Sequence, residues 1–343
     1  MRAAVLMPDH QIFLREVPSP NPRPGQVVVA PVLVGLCGSD VSYATTGANG
    51  NFVQHEPMIL GHEVCARLTS DTKIDRQSIP TGALVAIHPL WPSPLAGKSV
   101  VRPDSEQDAM SFLGSASTQP HTPGGLAELV AVRPEQLRIL PEGLPAERAV
   151  LAEPLAVVLH AFSRLPGPTA QQRILICGAG PIGLLCLLVA LAQGAASVTI
   201  TDLHPRPLNL AATLGATTTI QAPEAPPPDS HTLAIEASGN PGALESALTT
   251  LAPHGHLLQL GMLPQKPAPT TLAALVTKEL TLTGTHRFTG ELDDALTFLT
   301  QHDECSQIVT HRLPLDATAR AMELAGNPAA ASKVVVQVEP AVR

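Results

Sequence analysis

The sequence predicts an α/β chain in two parts, an irregular mainly-β domain and a doubly wound parallel sheet with helices on both faces. Three observations carry that expectation. Residues 1–140 are short β-like runs bounded by Pro and Gly. From residue 148 the pattern changes to near-continuous apolar strands alternating with helical segments, as in a sheet buried on both sides. The first of those strands then runs into Gly178, Gly180 and Gly183, spaced as G-x-G-x-x-G at the mouth of a helix. The length, 343 residues, exceeds one ordinary domain and allows two cores.

Taken in order, "AAVLM", "QVVVAPVLVGL", "GHEVCARL", "ALVAI", "LAELVAV" and "LRIL" supply the strands of the first domain. Residues 90–120 read as a long exposed loop. "ERAVLAEPLAVVLHAFSRL" is helical, broken or restarted at Pro154. "RILIC", "SVTITD", "TLAIEAS", "HLLQLG" and "LTLTGT" are the buried strands that follow, with helices at "IGLLCLLVALAQG", "PLNLAATLG" and "ALESALTTL" between them. "APEAPPPDS", residues 222–230, is a Pro-rich connector within that unit. "SKVVVQVEP" returns to strand character, so the first domain is expected to comprise 1–148 and 286–343, with the dinucleotide-type domain at 149–285.

Composition excludes several classes. With 44% apolar and 15% charged residues the chain is not a disordered polymer. A net charge of −8 and 2% aromatics leave neither a basic surface nor a stacking platform for nucleic acid. Ile174 to Thr201 holds no charged residue, but "CGAGPIG" and "AQGAAS" interrupt it, so it reads as strand, turn, buried helix and strand rather than a membrane span. The start of the sequence carries no secretory signal pattern. Five widely spaced cysteines form no disulfide framework and fit a reducing, cytoplasmic setting.

The glycine motif gains weight from its context: strand, glycine turn, helix with Pro181 and Ile182 in its first turn, and a second strand ending in Asp202. This is the Rossmann arrangement. Gly178 permits the turn, Gly180 lets backbone approach a pyrophosphate, and Gly183 lets helix and strand pack closely. The helix N-terminus offers N–H donors and a positive dipole to phosphate. Asp202 would accept hydrogen bonds from ribose hydroxyls and repel a 2′-phosphate, which favours NAD over NADP; Arg206 nearby tempers this, since an arginine can accept that phosphate.

Cys37 stands in the glycine-flanked turn "GLCGSD" after an apolar strand, and His62 and Glu63 follow Gly61 in "LGHEV". Taken alone, Cys37 reads as a small core residue and the pair as a core histidine beside a carboxylate. Taken together, thiolate, imidazole and carboxylate suit zinc better than magnesium or calcium, and a cation offsets the cost of their burial. His55-Glu56 repeats the pair in a polar loop before a proline and reads as surface.

"GLCGSDVSY", "LGHEV", "AEPLAVVLHA", "GAGPIG", "TDLHPRP" and "GTHRFTGEL" resemble the zinc-dependent medium-chain dehydrogenases across nearly the whole chain. Within that superfamily "SFLGSAS", "GGLAELV" and "GTHRFTGEL" resemble the polyol (sorbitol-type) dehydrogenases, and most closely the L-idonate 5-dehydrogenases. The resemblance implies a GroES-like first domain with a catalytic zinc at Cys37, His62 and Glu63, and Glu153 of "AEPL" as a ligand directly or through water. It implies Ser39 as the group that moves the hydroxyl proton, and Tyr43, Phe112 and Arg287 as the lining of the substrate pocket, Arg287 pairing with a sugar-acid carboxylate. His88 could face the same cleft and is not assigned to it. Two departures stand out. The four-cysteine lobe usual after the "VAI" strand is missing from "HPLWPSPLAGKSVVRPDSEQDAM", so no structural zinc is expected, and Ser42 stands where relatives often carry a relay histidine.

The implied reaction is zinc-dependent, NAD-linked oxidation of a secondary hydroxyl of a sugar acid, L-idonate to 5-keto-D-gluconate, or of a neutral polyol or another secondary alcohol. A homo-oligomer, dimer or tetramer, is expected. Two other classes compete: a zinc-free reductase on the same fold, which the Cys37, His62 and Glu63 set argues against, and a non-enzymatic NAD-binding protein.

Overall fold

The computed structural model describes residues 1–91, 111–264 and 271–338. The chain forms two compact units, one of Met1–Glu153, Thr289–Asn327 and Lys333–Arg343, the other of Pro154–Phe288 and Pro328–Ser332. The first boundary falls past residue 148 because Pro154 lies in the first turn of one continuous helix, Ala152–Ser163. A proline is tolerated there because its missing N–H has no intrahelical partner to lose.

In the first unit a mixed sheet runs in the order Leu137–Ile139, Leu84–Ile87, Glu63–Leu68, Val27–Gly35, Lys333–Gln337 and Val309–Pro314, with Val130–Val132 also pairing to Val27–Gly35. Only the last neighbours in that order, Lys333–Gln337 and Val309–Pro314, are parallel. Val27–Gly35 is nine residues long because its apolar side chains have partners on both flanks, and its register slips between Pro31 and Leu33, where proline cannot donate to the ladder. Val29, Leu33, Val34, Val64, Val85, Leu137, Val335 and Val336 form the buried face and its neighbours.

One expectation needs correction. Residues 92–110, where the missing cysteine lobe was read, lie outside the described residues, but their flanks are not an exposed loop. Leu90–Trp91 pairs with Ser111–Phe112, and Phe112, Leu113, Ser115 and Ala116 are buried. Two-residue strands are too short to show a period in sequence, so burial here comes from tertiary packing alone.

In the second unit six parallel strands run Thr218–Gln221, Ser197–Asp202, Arg173–Cys177, His231–Glu236, Leu251–Gln259 and Thr281–Gly284. In chain order that is 3-2-1-4-5-6, whose direction reverses between the first strand and the fourth. Helix Pro181–Ala192 buries every residue from Gly183 to Ala190, which explains a run apolar on all sides in a segment of only twelve residues. No helix among the described residues is long and apolar enough to cross a membrane.

Candidate functional site

The first constellation is assembled around Asp40, a residue the sequence reading passed over. Cys37 precedes helix Gly38–Thr46, and Asp40 in its first turn folds back so that Oδ2 accepts the Cys37 N–H at 2.9 Å. Asp40 Oδ1 accepts the Gly61 N–H at 3.1 Å and lies 3.8 Å from His62 Nδ1. Gly61 has φ +95°, a left-handed conformation that costs glycine little. One buried carboxylate thus ties together the two segments that carry sulfur and imidazole. Its signal was present in "GLCGSD", as an acidic residue three positions after the turn cysteine.

The ligand atoms of Cys37, His62 and Glu63 lie within 4.8 Å of one another, the group among the described residues able to hold a metal. Zinc's bonds of about 2.0–2.3 Å span such a separation after small rotamer adjustments, and sulfur, nitrogen and oxygen together suit zinc. Electrostatics agree. Burial alone would push the His62 imidazole down, yet Asp40, then Cys37 and Glu153, outweigh it and drive the metal-free ring up to about 10. A buried site that holds a proton this tightly is a site short of positive charge, which a divalent cation supplies. Glu153 is 7% exposed, and Phe112 sets its ring 5.3 Å from the His62 ring, tilted by 54°.

Glu63 brings a second unforeseen partner. Lys333 Nζ donates to both of its carboxylate oxygens at 2.7 Å and to the Leu36 carbonyl at 3.1 Å. Burial opposes the ammonium, but Glu63, Cys37 and Glu153 hold its pKa above the ordinary lysine value. The visible signal was a lysine at the head of an otherwise apolar strand, "SKVVVQVEP".

The other expected residues are placed as follows. Ser39 is half-buried in the first turn of Gly38–Thr46. Ser42 Oγ donates to the Gly38 carbonyl, a local bond within the helix. Tyr43 is buried, its hydroxyl accepting the Ala116 N–H at 3.1 Å. His88 is a core histidine: Nδ1 accepts the Leu90 N–H and Nε2 donates to the Thr289 carbonyl. His55 is exposed, whereas Glu56 is half-buried and accepts the His121 N–H at 2.6 Å, so that pair is less superficial than its loop suggested. Arg287 belongs to the second unit, at φ +56°, a conformation few non-glycine residues adopt.

The second constellation lies where the parallel order reverses. The loop after Arg173–Cys177 carries Gly178 and Gly180 into helix Pro181–Ala192. A Cβ built on Gly180 meets nothing within 4 Å, leaving open space above the helix N-terminus. A Cβ on Gly183 would collide with the Gly178 carbonyl. Pro181 and Ile182 form the first turn. Asp202 closes the second strand; its Oδ2 accepts the Ala179 N–H and its Oδ1 the His204 N–H, both at 2.9 Å, which aims the carboxylate at the glycine loop. Arg206 is exposed in the following helix, Pro205–Thr213. The open cradle, the helix N-terminus and the carboxylate fit a dinucleotide.

Sequence reasoning also missed Glu236, which is fully buried at the end of its strand. It accepts the Ser238 and Gly239 N–H groups and Gln259 Nε2, clamping the loops that follow two adjacent strands.

Residues 23–142 match the alcohol dehydrogenase GroES-like domain and residues 181–301 the zinc-binding dehydrogenase domain. The chain is 30% identical over 339 residues to sorbitol dehydrogenase of Bacillus subtilis (strain 168), covering 95% of this chain and 93% of that one. It is 30% identical over 308 residues to L-idonate 5-dehydrogenase (NAD(P)(+)) of Escherichia coli (strain K12), covering 88% of each. The crystal structure of L-idonate 5-dehydrogenase from Escherichia coli K-12 superposes with a TM-score of 0.86 at 27% identity over 98% of both chains.

Proposed function

Because this chain belongs to the zinc-dependent medium-chain dehydrogenases, as a polyol-dehydrogenase-like member of the alcohol dehydrogenase superfamily, we propose that it oxidises a secondary hydroxyl of a sugar acid, L-idonate to 5-keto-D-gluconate, with NAD as acceptor. The observation that carries the reading is the convergence of half-buried Cys37 with buried His62 and Glu63 in one cluster. Bound there, zinc supplies the Lewis acidity that makes a hydroxyl proton easier to remove. NAD, when bound, supplies the hydride acceptor.

The chain's own residues do the rest. Cys37 and His62 hold the metal, with Glu63 and Glu153 as the carboxylates beside it. Asp40, its Oδ1 3.8 Å from His62 Nδ1, places a carboxylate charge behind the imidazole. Ser39 Oγ takes the hydroxyl proton and passes it outward. Phe112 and Tyr43 line the substrate side and keep water away. Gly178, Gly180, Pro181, Ile182 and Gly183 cradle the pyrophosphate, Asp202 binds the adenosine ribose, and Arg206 sets how strongly a 2′-phosphate is refused. Arg287 supplies the positive charge for a substrate carboxylate.

A neutral polyol is the second reading, favoured by an equal 30% identity to a sorbitol dehydrogenase. The test is an NADH-formation screen over sugar acids, polyols and secondary alcohols, with zinc measured per chain. Arg287→Ala is expected to cost acidic substrates at least about tenfold more kcat/KM than neutral ones, the 1.4 kcal/mol of one charge-assisted contact. Equal losses defeat the carboxylate assignment. Full turnover without zinc points to a zinc-free reductase, and no turnover across the panel to a non-enzymatic NAD-binding protein. We also propose a cytoplasmic homo-oligomer, dimer or tetramer: all five cysteines are free, as a reducing compartment keeps them, and light scattering reads the assembly.

A further inference from the structure

Glu236 is fully buried at the carboxyl end of the strand His231–Glu236, opposite Cys177, the last residue before the glycine loop. Its Oε1 accepts the Ser238 N–H at 2.8 Å, the Gly239 N–H at 3.0 Å and the Ser238 hydroxyl. Its Oε2 shares the Gly239 N–H at 3.1 Å and accepts from Gln259 Nε2, at the end of the next strand, at 2.6 Å. Every one of these partners donates, the arrangement a carboxylate anion calls for, and there is no cation among them. A Cβ on Gly261 would fall on the Glu236 carboxylate, and one on Gly178 would press against Ser238. The loops after three adjacent strands therefore close around one anion that dipoles hold in place.

We propose that Glu236 sets the redox preference of the dinucleotide site, its buried negative charge favouring the oxidised cofactor over the reduced one. The inference rests on the NAD reading given above and deepens it. The nicotinamide ring is cationic in oxidised NAD and neutral in NADH, so the oxidised form alone gains from an anion nearby. Strand order puts the charge in the relevant half. Asp202, on the second strand, belongs to the half that takes the adenosine ribose. Glu236, on the fourth, belongs to the half across the reversal, where the other nucleotide lies. A charge buried in protein reaches further than one in water and is screened less by salt. The pyrophosphate meets the same charge in both redox forms, so that repulsion drops out of the comparison. Glu236 touches the loops and not the cofactor; it is a positioning residue whose field reaches the site.

Bracing and charge are separable, because a brace serves both redox forms alike. In the full-length, zinc-loaded protein, NADH binding is read by fluorescence and oxidised NAD by its displacement of NADH. Glu236→Gln keeps the shape and removes the charge; Gln259 can turn its Oε1, a buried oxygen without a donor, towards the new amide. In this variant the dissociation constant of oxidised NAD divided by that of NADH is expected to rise at least about threefold. Glu236→Asp keeps the charge but draws it back from the loops, so both affinities should fall while the ratio stays within about 1.5-fold of wild type. Where Glu236→Gln does not fold, Glu236→Ser, small enough to admit water against the same donors, should raise the ratio likewise. An unmoved ratio in the charge-free variant, or a ratio raised as much by Glu236→Asp, overturns the proposal. Wild-type protein that binds neither redox form defeats instead the NAD reading on which the proposal stands.

Discussion

At the scale of single residues, Asp40 and Lys333 support the cluster of Cys37, His62 and Glu63. Cys37, His62 and Glu63 can be read in the sequence only as a set, because each alone has an ordinary core explanation while thiolate, imidazole and carboxylate together suit a metal. Asp40 and Lys333 act through partners 21 and 270 positions away, and no local pattern encodes such distances. His88 shows the converse: a histidine near the expected cleft proves to be bonded on both ring nitrogens within the core. Burial, and then the charge of Arg138, push it down to about 4. The unfolded chain protonates this ring near its ordinary 6.5 while the folded chain does not. Its contribution to stability is thus fully present above about 6.5 and is lost as pH falls towards about 4. Denaturant titrations across that window should show stability falling with acid. His88→Asn should flatten the dependence by up to about 1 kcal/mol per pH unit; an unchanged slope would remove His88 from the acid response.

At the scale of elements, period and punctuation served the second unit well. A helix apolar all round, capped by Gly180 and started by Pro181, is what a doubly covered sheet demands, and the parallel strands read as continuous apolar runs for the same reason. The first unit was read less completely, because strands of two residues such as Leu90–Trp91 are defined only by a partner elsewhere in the chain. The junction between the glycine loop and its helix leaves no room for a side chain at Gly183. Gly183→Ala pushes a methyl group against the Gly178 carbonyl, and overpacking of that kind costs about 1–3 kcal/mol. The variant should therefore unfold at lower denaturant and bind NADH more weakly while keeping its zinc. Unchanged NADH affinity would show that the loop does not bear the phosphates.

At the scale of the whole molecule, the residues assigned to metal belong to one compact unit and those assigned to dinucleotide belong to the other. The two affinities should then separate. Chelation is expected to abolish turnover while NADH titrations, followed by fluorescence, give a dissociation constant within about twofold of the metal-loaded protein, a difference near 0.4 kcal/mol. Loss of both together would show that the cation also shapes the dinucleotide site. The sheet of the first unit adds a consequence for biosynthesis. Val27–Gly35 leaves the ribosome some three hundred residues before Lys333–Gln337, yet the two lie side by side. The nascent N-terminal half therefore waits, its sheet unfinished and its glutamate without a counter-ion, while the contiguous parallel sheet is already free to form. Cation capture before release would meet an unbalanced pocket, and arrival of the late strand is the event that sets its final charge.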